Sequence, residues 1–224
     1  MAEDIYSSLL QAAPERLLVF AHLAQSLDGR IALESGESKW LSGTEDLDHT
    51  HQLRAISDAV LVGASTIHQD NPQLTVRRVA GDSPLRVVVD PNLRLDGDHH
   101  VFAPGGPPTL VICGEDAEGS APVDTLRLPM VDGRLRPDDI CEALYARGVR
   151  RLMIEGGAIT VSRFLDAGCL DRLHLVIAPV LLGQGRSSLL LDTLPSLSLA
   201  LRPKVTVHML GNDILLDCQF TEPR

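Results

Sequence analysis

The chain has 224 residues, enough for one large domain or two small ones, and its 20 basic and 30 acidic residues give a net charge of −10. Hydrophobic residues make up 44% of the sequence, which excludes a wholly disordered chain. The basic residues form no cluster that would suit a nucleic-acid backbone. The longest strongly apolar stretch, residues 173–182, is far shorter than the ~20 residues that cross a membrane. Acidic residues near the N-terminus argue against a signal peptide, so we expect a soluble, cytoplasmic protein.

The cysteines and histidines give no sign of a metal site or a disulfide framework. The four cysteines are Cys113, Cys141, Cys169 and Cys218. Their spacing includes no C-x-x-C pair, so we expect them to be buried apolar side chains. His49 and His51 stand two residues apart, and on a helix such side chains point about 200° from each other. They could not chelate one ion, so we expect no metal.

In the first third of the chain, apolar runs predict two strands with a helix between them. Residues 17–24 have the length and composition of a buried strand. Ser42 and Glu45 match a capping box, in which the hydroxyl and the acid three residues later satisfy free backbone N–H groups. This pattern predicts a helix that runs to about Ser57. The residues expected on its buried face are Leu47, Leu53 and Ile56. Residues 59–62 predict a second short strand.

The rest of the chain continues the alternation of strands and helices. Strands are predicted at residues 85–89, 109–113, 149–154, 173–180, 205–210 and 214–220. One helix is predicted from Pro137, whose ring suits a first turn, to Gly148, and another over residues 158–167. The segment 91–108 is rich in Gly, Pro, Asp and His, and it predicts a loop within a single domain.

This alternation predicts an α/β fold in three layers, with helices on both faces of a mostly parallel sheet. Antiparallel pairing is expected among the strands at the C-terminal end. Residues 1–16 are expected to be an N-terminal extension and residues 17–224 a single domain. Ligands of such sheets bind beyond the carboxyl ends of the strands, so residues that follow strands are the candidates for a site.

The most informative local feature is a predicted strand that ends in Glu155 and is followed by two glycines and a helix. Paired glycines let a backbone approach a ligand closely, and the free N–H groups of a helix start attract a phosphate or pyrophosphate. Thr160 and Ser162 could add hydroxyl groups, and Arg163 could add a charge. The alternative is an ordinary strand-to-helix turn with a solvated acid.

A second group of candidates lies in the first third of the chain. Trp40 is the only tryptophan in a chain with 3% aromatic residues, and it stands in a polar loop. It is a candidate stacking platform, although anchoring in a core is the commoner role. Arg54 is expected at a helix end, and Arg77 follows an Asn-Pro turn. Two arginines in a net-acidic segment suit a specific anionic group, and the alternative for each is a surface ion pair.

Six of these motifs occur in an order that resembles a known family. They are S-L-D-G-R-I-A, G-E-S-K-W, H-x-L-R, D-A-V-L-V-G-A-S-T, D-N-P-x-L-T-V-R and I-E-G-G, and D-x-L-H-L-x-I-A-P-V-L-L-G follows them. Over residues 17–220 the chain resembles the reductase domain of the bacterial riboflavin-biosynthesis deaminase/reductase. The resemblance implies a dihydrofolate-reductase-like fold. It also implies NADPH-dependent reduction of 5-amino-6-(5-phosphoribosylamino)uracil, whose ribosyl ring is opened to ribityl.

The resemblance also implies roles for individual positions. The implied substrate-binding residues are Ser38, Arg54, Leu74, Arg77 and Glu155. The implied NADPH-binding residues are Ala24, Trp40, Thr66, Asp70, Gly157, Ala158, Ile159, Thr160, Val161, Ser162 and Arg163. Asp90 is expected on the nucleotide side of the site. The proton donor is left open among water, Asp70 and Glu155.

One departure from the family pattern concerns the deaminase. In the bifunctional members a zinc deaminase domain with an H-x-E and a P-C-x-x-C signature precedes the reductase. Neither motif occurs here, so we expect a separate deaminase protein or a paralogue with another substrate. Stand-alone reductases of the superfamily act on 2,5-diamino-6-ribosylamino-pyrimidinone phosphate, so the pyrimidine is left open. The alternatives are a reductase of another pyrimidine or pteridine, and a silent nucleotide-binding protein.

The resemblance also implies a homodimer. Residues 173–182 are apolar on both faces, whereas an exposed edge strand normally carries charges. We therefore expect this C-terminal region of the sheet to be covered by a second copy of the chain.

Overall fold

The computed structural model of the protein describes residues 2–11 and 15–220. The helices are α1 (Ala2–Leu10), α2 (Thr44–Ile56), α3 (Ala64–Asp70), α4 (Pro137–Ala146) and α5 (Ala158–Asp166). The strands are β1 (Leu18–Ser26), β2 (Arg30–Leu33), β3 (Ala59–Gly63), β4 (Leu85–Val89), β5 (Thr109–Gly114), β6 (Asp124–Leu128), β7 (Met130–Val131), β8 (Arg134–Leu135), β9 (Arg151–Glu155), β10 (Arg172–Ala178), β11 (Gly185–Ser187), β12 (Lys204–Leu210) and β13 (Asp213–Gln219).

Nine of these strands form one sheet, in the order β12-β13-β10-β1-β9-β3-β4-β5-β6. From β10 to β6 every neighbouring pair is parallel. Strand β13 pairs antiparallel with both β10 and β12. The predicted sheet, mostly parallel with antiparallel C-terminal strands, is therefore confirmed. The carboxyl ends of the parallel strands meet at one edge, which places the residues that follow them together.

Helices cover both faces of this sheet and make it the middle of three layers. The side chains of β1 alternate between the faces, as a strand requires. Phe20 packs in a cluster with Leu53 of α2, whereas Ala21 packs in another with Leu144 of α4 and Phe164 of α5. Both clusters are buried, so the central strands are apolar on both sides. The predicted three-layer α/β architecture is confirmed.

Helix α2 differs from the prediction in its start and in its buried face. Its N-cap is Gly43 rather than Ser42, so the predicted capping box is wrong. The backbone N–H of Gly43 donates instead to the Asp213 carboxylate at 2.7 Å, and the Ser42 hydroxyl donates to Asp46 at 2.6 Å. A carboxylate from a distant strand thus accepts the N-cap N–H, the bond that a capping box assigns to its acidic residue, here Glu45. The helix buries the following residues: Asp46, His49, Thr50, His51, Leu53 and Arg54. Leu47 and Ile56 are only half-buried.

The position of β10 also differs from the prediction. The run at residues 173–182 was expected near an exposed edge, but β10 lies inside the sheet between β1 and β13. The edge at this end of the sheet is β12. The apolar character of β10 on both faces is explained by its parallel pairing with β1, which buries it as a central strand.

Helix α1 packs against the sheet near α2. Leu9 is fully buried in the cluster that contains Phe20, and Ile5 packs with Val176 and Leu215. Two of the cysteines, Cys113 and Cys218, are buried as predicted, while Cys141 and Cys169 are half-buried. Within the described residues, no helix combines the length and the apolar character needed to cross a membrane.

Candidate functional site

A cavity of about 760 Å³ opens at the carboxyl ends of β1, β3 and β9. Helix α3 contributes Thr66, Gln69 and Asp70. Helix α2 forms one wall, with Asp46, Leu47, Thr50, His51 and Arg54. The loops before α2 and after α3 complete the rim. The cavity therefore lies where ligands of parallel α/β sheets bind, as the alternation of elements predicted.

The structure brings most of the predicted site residues together around this cavity. The predicted substrate-binding residues that line it are Ser38, Arg54, Leu74, Arg77 and Glu155. The predicted cofactor-binding residues that line it are Ala24, Trp40, Thr66, Asp70 and Gly157. These residues come from five separate stretches of the chain, and the fold of the sheet is what makes them neighbours.

The turn between β9 and α5 leaves its backbone open to the cavity. Gly157 has φ +76°, a conformation that residues with a Cβ avoid. A Cβ built on Gly157 would lie 2.9 Å from the Thr66 hydroxyl, so the strand-to-helix turns of β9 and β3 lie against each other. The first two N–H groups of α5, those of Ala158 and Ile159, have no acceptor within the helix, whereas that of Thr160 donates to the carbonyl of Gly157 at 3.0 Å. This arrangement fits the pyrophosphate of a dinucleotide, which needs free N–H groups and a close backbone.

Beyond its first turn, α5 turns its side chains away from this cavity. Val161 packs in the core, and the buried Ser162 hydroxyl accepts a hydrogen bond from the Leu190 N–H at 2.8 Å. Ile159 and Arg163 line a second cavity of about 600 Å³. Ser162 and Arg163, which were expected to add a hydroxyl and a charge, therefore do not line the main cavity. The residues of this turn that line the main cavity are Gly156 and Gly157, directly before the helix.

Arg54 and Glu155 form a buried ion pair on the cavity wall. Two guanidinium nitrogens of Arg54 donate to the two carboxylate oxygens, with 2.6 Å between Nε and Oε2. A third nitrogen donates to the carbonyl of Thr75 at 2.8 Å. Burial disfavours a charged Glu155, but Arg54 outweighs burial and holds the pKa of Glu155 below its ordinary value. Glu155 is therefore a carboxylate and has no proton to donate.

Arg77, by contrast, has an exposed guanidinium at the cavity rim. Its side chain donates to the Thr75 hydroxyl at 3.3 Å, and within the part of the chain that the structure describes it forms no ion pair. Its backbone N–H donates to His51 Nδ1 at 3.0 Å, which fixes the loop. The alternative of a surface ion pair thus finds no support for Arg77, whereas the adjacent Arg78 is paired with Asp48 at 2.6 Å.

Three other predicted residues are placed clearly by the structure. Trp40 is 84% exposed at the rim, which rules out a core anchor and leaves its ring face free. Burial raises the pKa of Asp70, and the nearby cations Arg186 and Lys39 oppose that shift. Asp90 does not line the cavity: its carboxylate accepts the N–H of Leu95 at 2.9 Å and so holds the loop after β4.

Two residues of the same cavity that were not predicted from the sequence form a pair. His22 on β1 and Asp46 on α2 form a buried pair, with 2.8 Å between Nε2 of His22 and Oδ1 of Asp46. The signal that could have found them is a histidine in an otherwise apolar strand. Its partner could not be inferred, because nothing in the local sequence links the two elements.

The strand order and the site define a class of protein with the dihydrofolate-reductase-like fold. The structure of dihydrofolate reductase from Enterococcus faecalis aligns with 90% of this chain and 96% of its own, at a TM-score of 0.50 and 15% identity. This similarity shows the fold alone. The chain belongs to the RibD C-terminal domain family, whose model matches residues 18–216.

The relatives of the chain fall into two groups by length. A protein of Methanothermobacter thermautotrophicus named 2,5-diamino-6-ribosylamino-4(3H)-pyrimidinone 5′-phosphate reductase is 34% identical over 90% of this chain and 97% of its own. The riboflavin biosynthesis protein RibD of Aquifex aeolicus is also 34% identical, over 83% of this chain. The chain spans only 52% of that protein.

A solved structure supports the same relationship. The Thermotoga maritima diaminohydroxyphosphoribosylaminopyrimidine deaminase/5-amino-6-(5-phosphoribosylamino)uracil reductase is 30% identical and aligns at a TM-score of 0.77. The alignment covers 97% of this chain and 59% of that one. The resemblance drawn from the six motifs is therefore confirmed.

Proposed function

We propose that the protein reduces the ribosyl group of a phosphoribosylamino-pyrimidine, 5-amino-6-(5-phosphoribosylamino)uracil, to ribityl, with NADPH as the reductant. The observation that carries the proposal is one cavity that joins an open glycine turn to an unpaired arginine. The turn suits a dinucleotide, and the arginine suits a second, phosphorylated ligand. The names of the relatives support a reductase of this substrate class.

The nicotinamide cofactor supplies the hydride when it is bound. In this proposal Gly157 and the first N–H groups of α5 hold its pyrophosphate, and Thr66 lies against the same turn. Trp40 offers an exposed ring face at the rim for stacking. Ala24 and Asp70 line the same part of the cavity wall.

The substrate would occupy the part of the cavity next to α2. Arg77 has a free planar guanidinium that matches the oxygens of a phosphate. Arg54 is held by Glu155, so the two side chains present a fixed polar surface to the substrate rather than a free cationic side chain. Ser38 and Leu74 complete this side of the wall. Positioning of the acceptor carbon beside the hydride donor is the main task of the protein in such a reaction.

A second candidate substrate is 2,5-diamino-6-ribosylamino-4(3H)-pyrimidinone 5′-phosphate. The observation that favours it is the match to the Methanothermobacter protein, which is covered over 97% of its length. The two substrates share the ribosyl phosphate that Arg77 would bind, and they differ in the pyrimidine ring.

The test is to incubate the purified protein with NADPH and each pyrimidine in turn, following loss of the nicotinamide absorbance and the mass of the product. Turnover of the uracil compound to its ribityl product is the expected result. Faster turnover of the diamino compound would favour the second candidate. Tight NADPH binding without turnover of either compound would contradict the proposal and favour a silent nucleotide-binding protein.

The proposal includes a preference for NADPH over NADH. Fluorescence titration of the protein with each cofactor is expected to give the lower dissociation constant for NADPH. Equal constants would contradict this part of the proposal without affecting the substrate.

We further propose that the protein is a homodimer. Three apolar side chains of the edge strand β12, Val205, Val207 and Met209, are exposed. Several leucines in the segment before β12 are exposed as well. An apolar surface of this kind marks an interaction site, and a second copy of the chain is the occupant that the family resemblance implies.

A further inference from the structure

The proposed function leaves one buried charged pair in the cavity without a role. His22 and Asp46 both line the cavity, and their side chains are only 8% and 2% exposed. Besides the imidazole, the Asp46 carboxylate accepts the Ser42 hydroxyl at 2.6 Å. The Asp46 carboxylate is therefore bonded to both the imidazole and the Ser42 hydroxyl, which fixes the pair in place.

A gain in stability alone does not explain why this pair is buried. Burying two charges costs several kcal/mol of solvation per ion, which the attraction between them repays only when the geometry is good. On the same face of β1, Leu18 and Phe20 are simply apolar. A charged pair at the end of that face, next to a cavity, is the pattern of a functional group whose protonation is set by its surroundings.

The environment of His22 favours its charged form. Burial of the ring lowers the pKa of His22, but Asp46 outweighs burial and raises it above its ordinary value. Glu155, the partner of His22 in the register of β1 and β9, acts in the same direction, and Arg54 acts against it. His49, whose ring centroid lies 5.7 Å away, is uncharged because burial and His22 lower its pKa to about 3.

On the other side of β1, the residue opposite His22 adds no charge beside it. His174 pairs with His22 in the register of β1 and β10. Burial and the nearby His49 hold the pKa of His174 well below its ordinary value, so this ring is neutral. The surroundings of His22 therefore favour its imidazolium form, with Asp46 as its counter-ion.

The other titratable groups along the cavity are less suited to give up a proton. Glu155 is ionised and held by Arg54. Burial and Arg54 lower the pKa of His51 to about 4, so it is neutral. Burial raises the pKa of Asp70, and Arg186 and Lys39 oppose the shift. Among the described residues, Asp70 has no buried partner of the kind that Asp46 provides for His22. Arginine and lysine side chains hold their protons too tightly to act as acids at neutral pH.

We propose that His22, held charged by Asp46, is the catalytic acid that protonates the ring oxygen of the ribosyl group as the ring opens. This inference rests on the proposed function. The bond between the anomeric carbon and the ring oxygen breaks, and the oxygen takes the proton of His22 and becomes a hydroxyl. The lone pair of the exocyclic nitrogen forms the C=N bond, and the hydride then adds to that carbon. The neutral imidazole regains one proton from solvent, so each turnover consumes one proton and one hydride.

The charge state of His22 is measured directly in the ligand-free protein by NMR titration of the imidazole nitrogens. The wild type is expected to give a His22 pKa above the ordinary value of about 6.5. Asp46→Asn keeps the hydrogen bond but removes the charge, and it is expected to lower that pKa by roughly one unit or more. A wild-type pKa at or below the ordinary value overturns the proposal.

The catalytic role is tested with His22→Gln, which keeps a polar side chain but has no proton to donate. The expected result is a fall in kcat of roughly 10²- to 10⁴-fold, with NADPH affinity unchanged. The matched control is His208→Gln on β12, outside the cavity, which should leave kcat unchanged. Wild-type kcat in His22→Gln overturns the proposal.

The variant Asp46→Asn separates a role in catalysis from a role in supporting the fold. In the wild type kcat should fall as the pH rises through the pKa of His22. In Asp46→Asn this decline in kcat should move to lower pH together with the pKa of His22 measured by NMR. A purely structural role of the pair would not move the decline. A decline at the same pH in both proteins overturns the proposal. If the wild type reduces neither pyrimidine, the proposed function fails and this inference falls with it. If the wild type is active and His22→Gln is equally active, only this inference fails.

Discussion

The two arginines of the cavity differ in what already binds them. Arg54 is buried, and its guanidinium is engaged by Glu155 and by a backbone carbonyl. Arg77 is exposed and donates only a long hydrogen bond to a neighbouring hydroxyl. Removing one partner of a buried ion pair leaves an uncompensated charge, so a change at Arg54 would disturb fold and site together. A change at Arg77 should act on the ligand alone.

Arg77→Ala is therefore expected to weaken substrate use and to leave the fold intact. A charge-assisted bond to phosphate contributes roughly 1.5 to 3 kcal/mol, so kcat/KM should fall about 10- to 150-fold. The phosphate is remote from the carbon that receives hydride, so the loss should appear mainly in KM. Arg77→Lys should recover part of it, because an ammonium keeps the charge without the planar fork. Steady-state kinetics and a thermal melt of each variant measure this.

The adjacent Arg78 provides the control. It also lines the cavity, but its charge is paired with Asp48 at 2.6 Å. Arg78→Ala should change KM much less than Arg77→Ala does. A lowered melting temperature with unchanged KM in Arg77→Ala would show instead that this residue supports the fold.

The sequence predicted both arginines but could not distinguish them. Each was assigned to the substrate, with a surface ion pair as the alternative. The partner that holds Arg54 lies 101 residues away, on a strand that only the sheet order brings next to α2. The same limit applies to His22 and Asp46, because a pair across two elements leaves no periodic pattern in the sequence.

At the scale of elements, the turn from β9 to α5 carries the cofactor part of the proposal. Gly157→Val is expected to abolish NADPH binding. Its backbone sits at φ +76°, and an added Cβ would lie 2.9 Å from the Thr66 hydroxyl, within the space that the pyrophosphate needs. Fluorescence titration with NADPH measures the effect, and unchanged affinity would mean that the turn is only structural.

Gly168, which follows the other end of α5, is the matched control. It has φ +68°, and a Cβ there would meet open space. Gly168→Val should therefore lose stability through backbone strain, as Gly157→Val does, while keeping its NADPH affinity. Loss of affinity in both variants would indicate a general weakening of α5.

The contact of α2 with β10 predicts a loss of stability in weak acid. His49 and His174 stack, with 3.0 Å between Nε2 and Nδ1, and their pKa values are lowered by burial. Below about pH 6.5 the unfolded chain binds protons at both positions and the folded protein does not, so stability falls as the pH falls. Two such groups give a slope of about 2 to 3 kcal/mol per pH unit, and His51, whose pKa is lowered to about 4, acts in the same direction. His22 adds no slope there, because its raised pKa keeps it protonated in both states.

Urea unfolding at several values from about pH 6 to pH 5 measures this slope. His174→Gln should lower it by roughly a third to a half, since one of the titrating rings, His49, His51 and His174, is removed. A free energy of unfolding that stays constant over this range would contradict the assignment of neutral, buried rings.

The sequence predicted best the strands that are buried inside the sheet, because burial on both faces leaves a recognisable apolar run. The central strands β1, β3, β4, β5, β9 and β10 are nearly continuous apolar runs, so they were found within a few residues of their bounds. Helix α3 was missed because its seven residues bury only Ile67, too few for a helical period. Helix α2 was found, but its start was misplaced because Asp213 provides the acceptor at its N-terminus.

For the whole molecule, the sheet has one end that its own helices leave uncovered. Val205, Val207 and Met209 alternate along β12 and so share one face. They pair with Cys218, Leu216 and Ile214 of β13, of which Cys218 and Leu216 pack with the core on the α4 and α5 side. The apolar layer between the sheet and helices α4 and α5 thus continues along β12, where it is exposed. The C-terminal region was predicted as the interface, and its exposed part is β12 rather than β10.

We expect light scattering at micromolar concentration to give twice the chain mass of 24.2 kDa. Val207 is 61% exposed, so Val207→Lys should cost the monomer little and should place a charge in the interface. That variant is expected to shift toward the single-chain mass while its thermal melt stays cooperative. Val131→Lys, at an exposed apolar residue of the separate two-stranded sheet formed by β7 and β8, is the control and should keep the wild-type mass. A wild-type protein with the mass of one chain would contradict the homodimer, and dissociation of both variants would mean that the interface is not on β12.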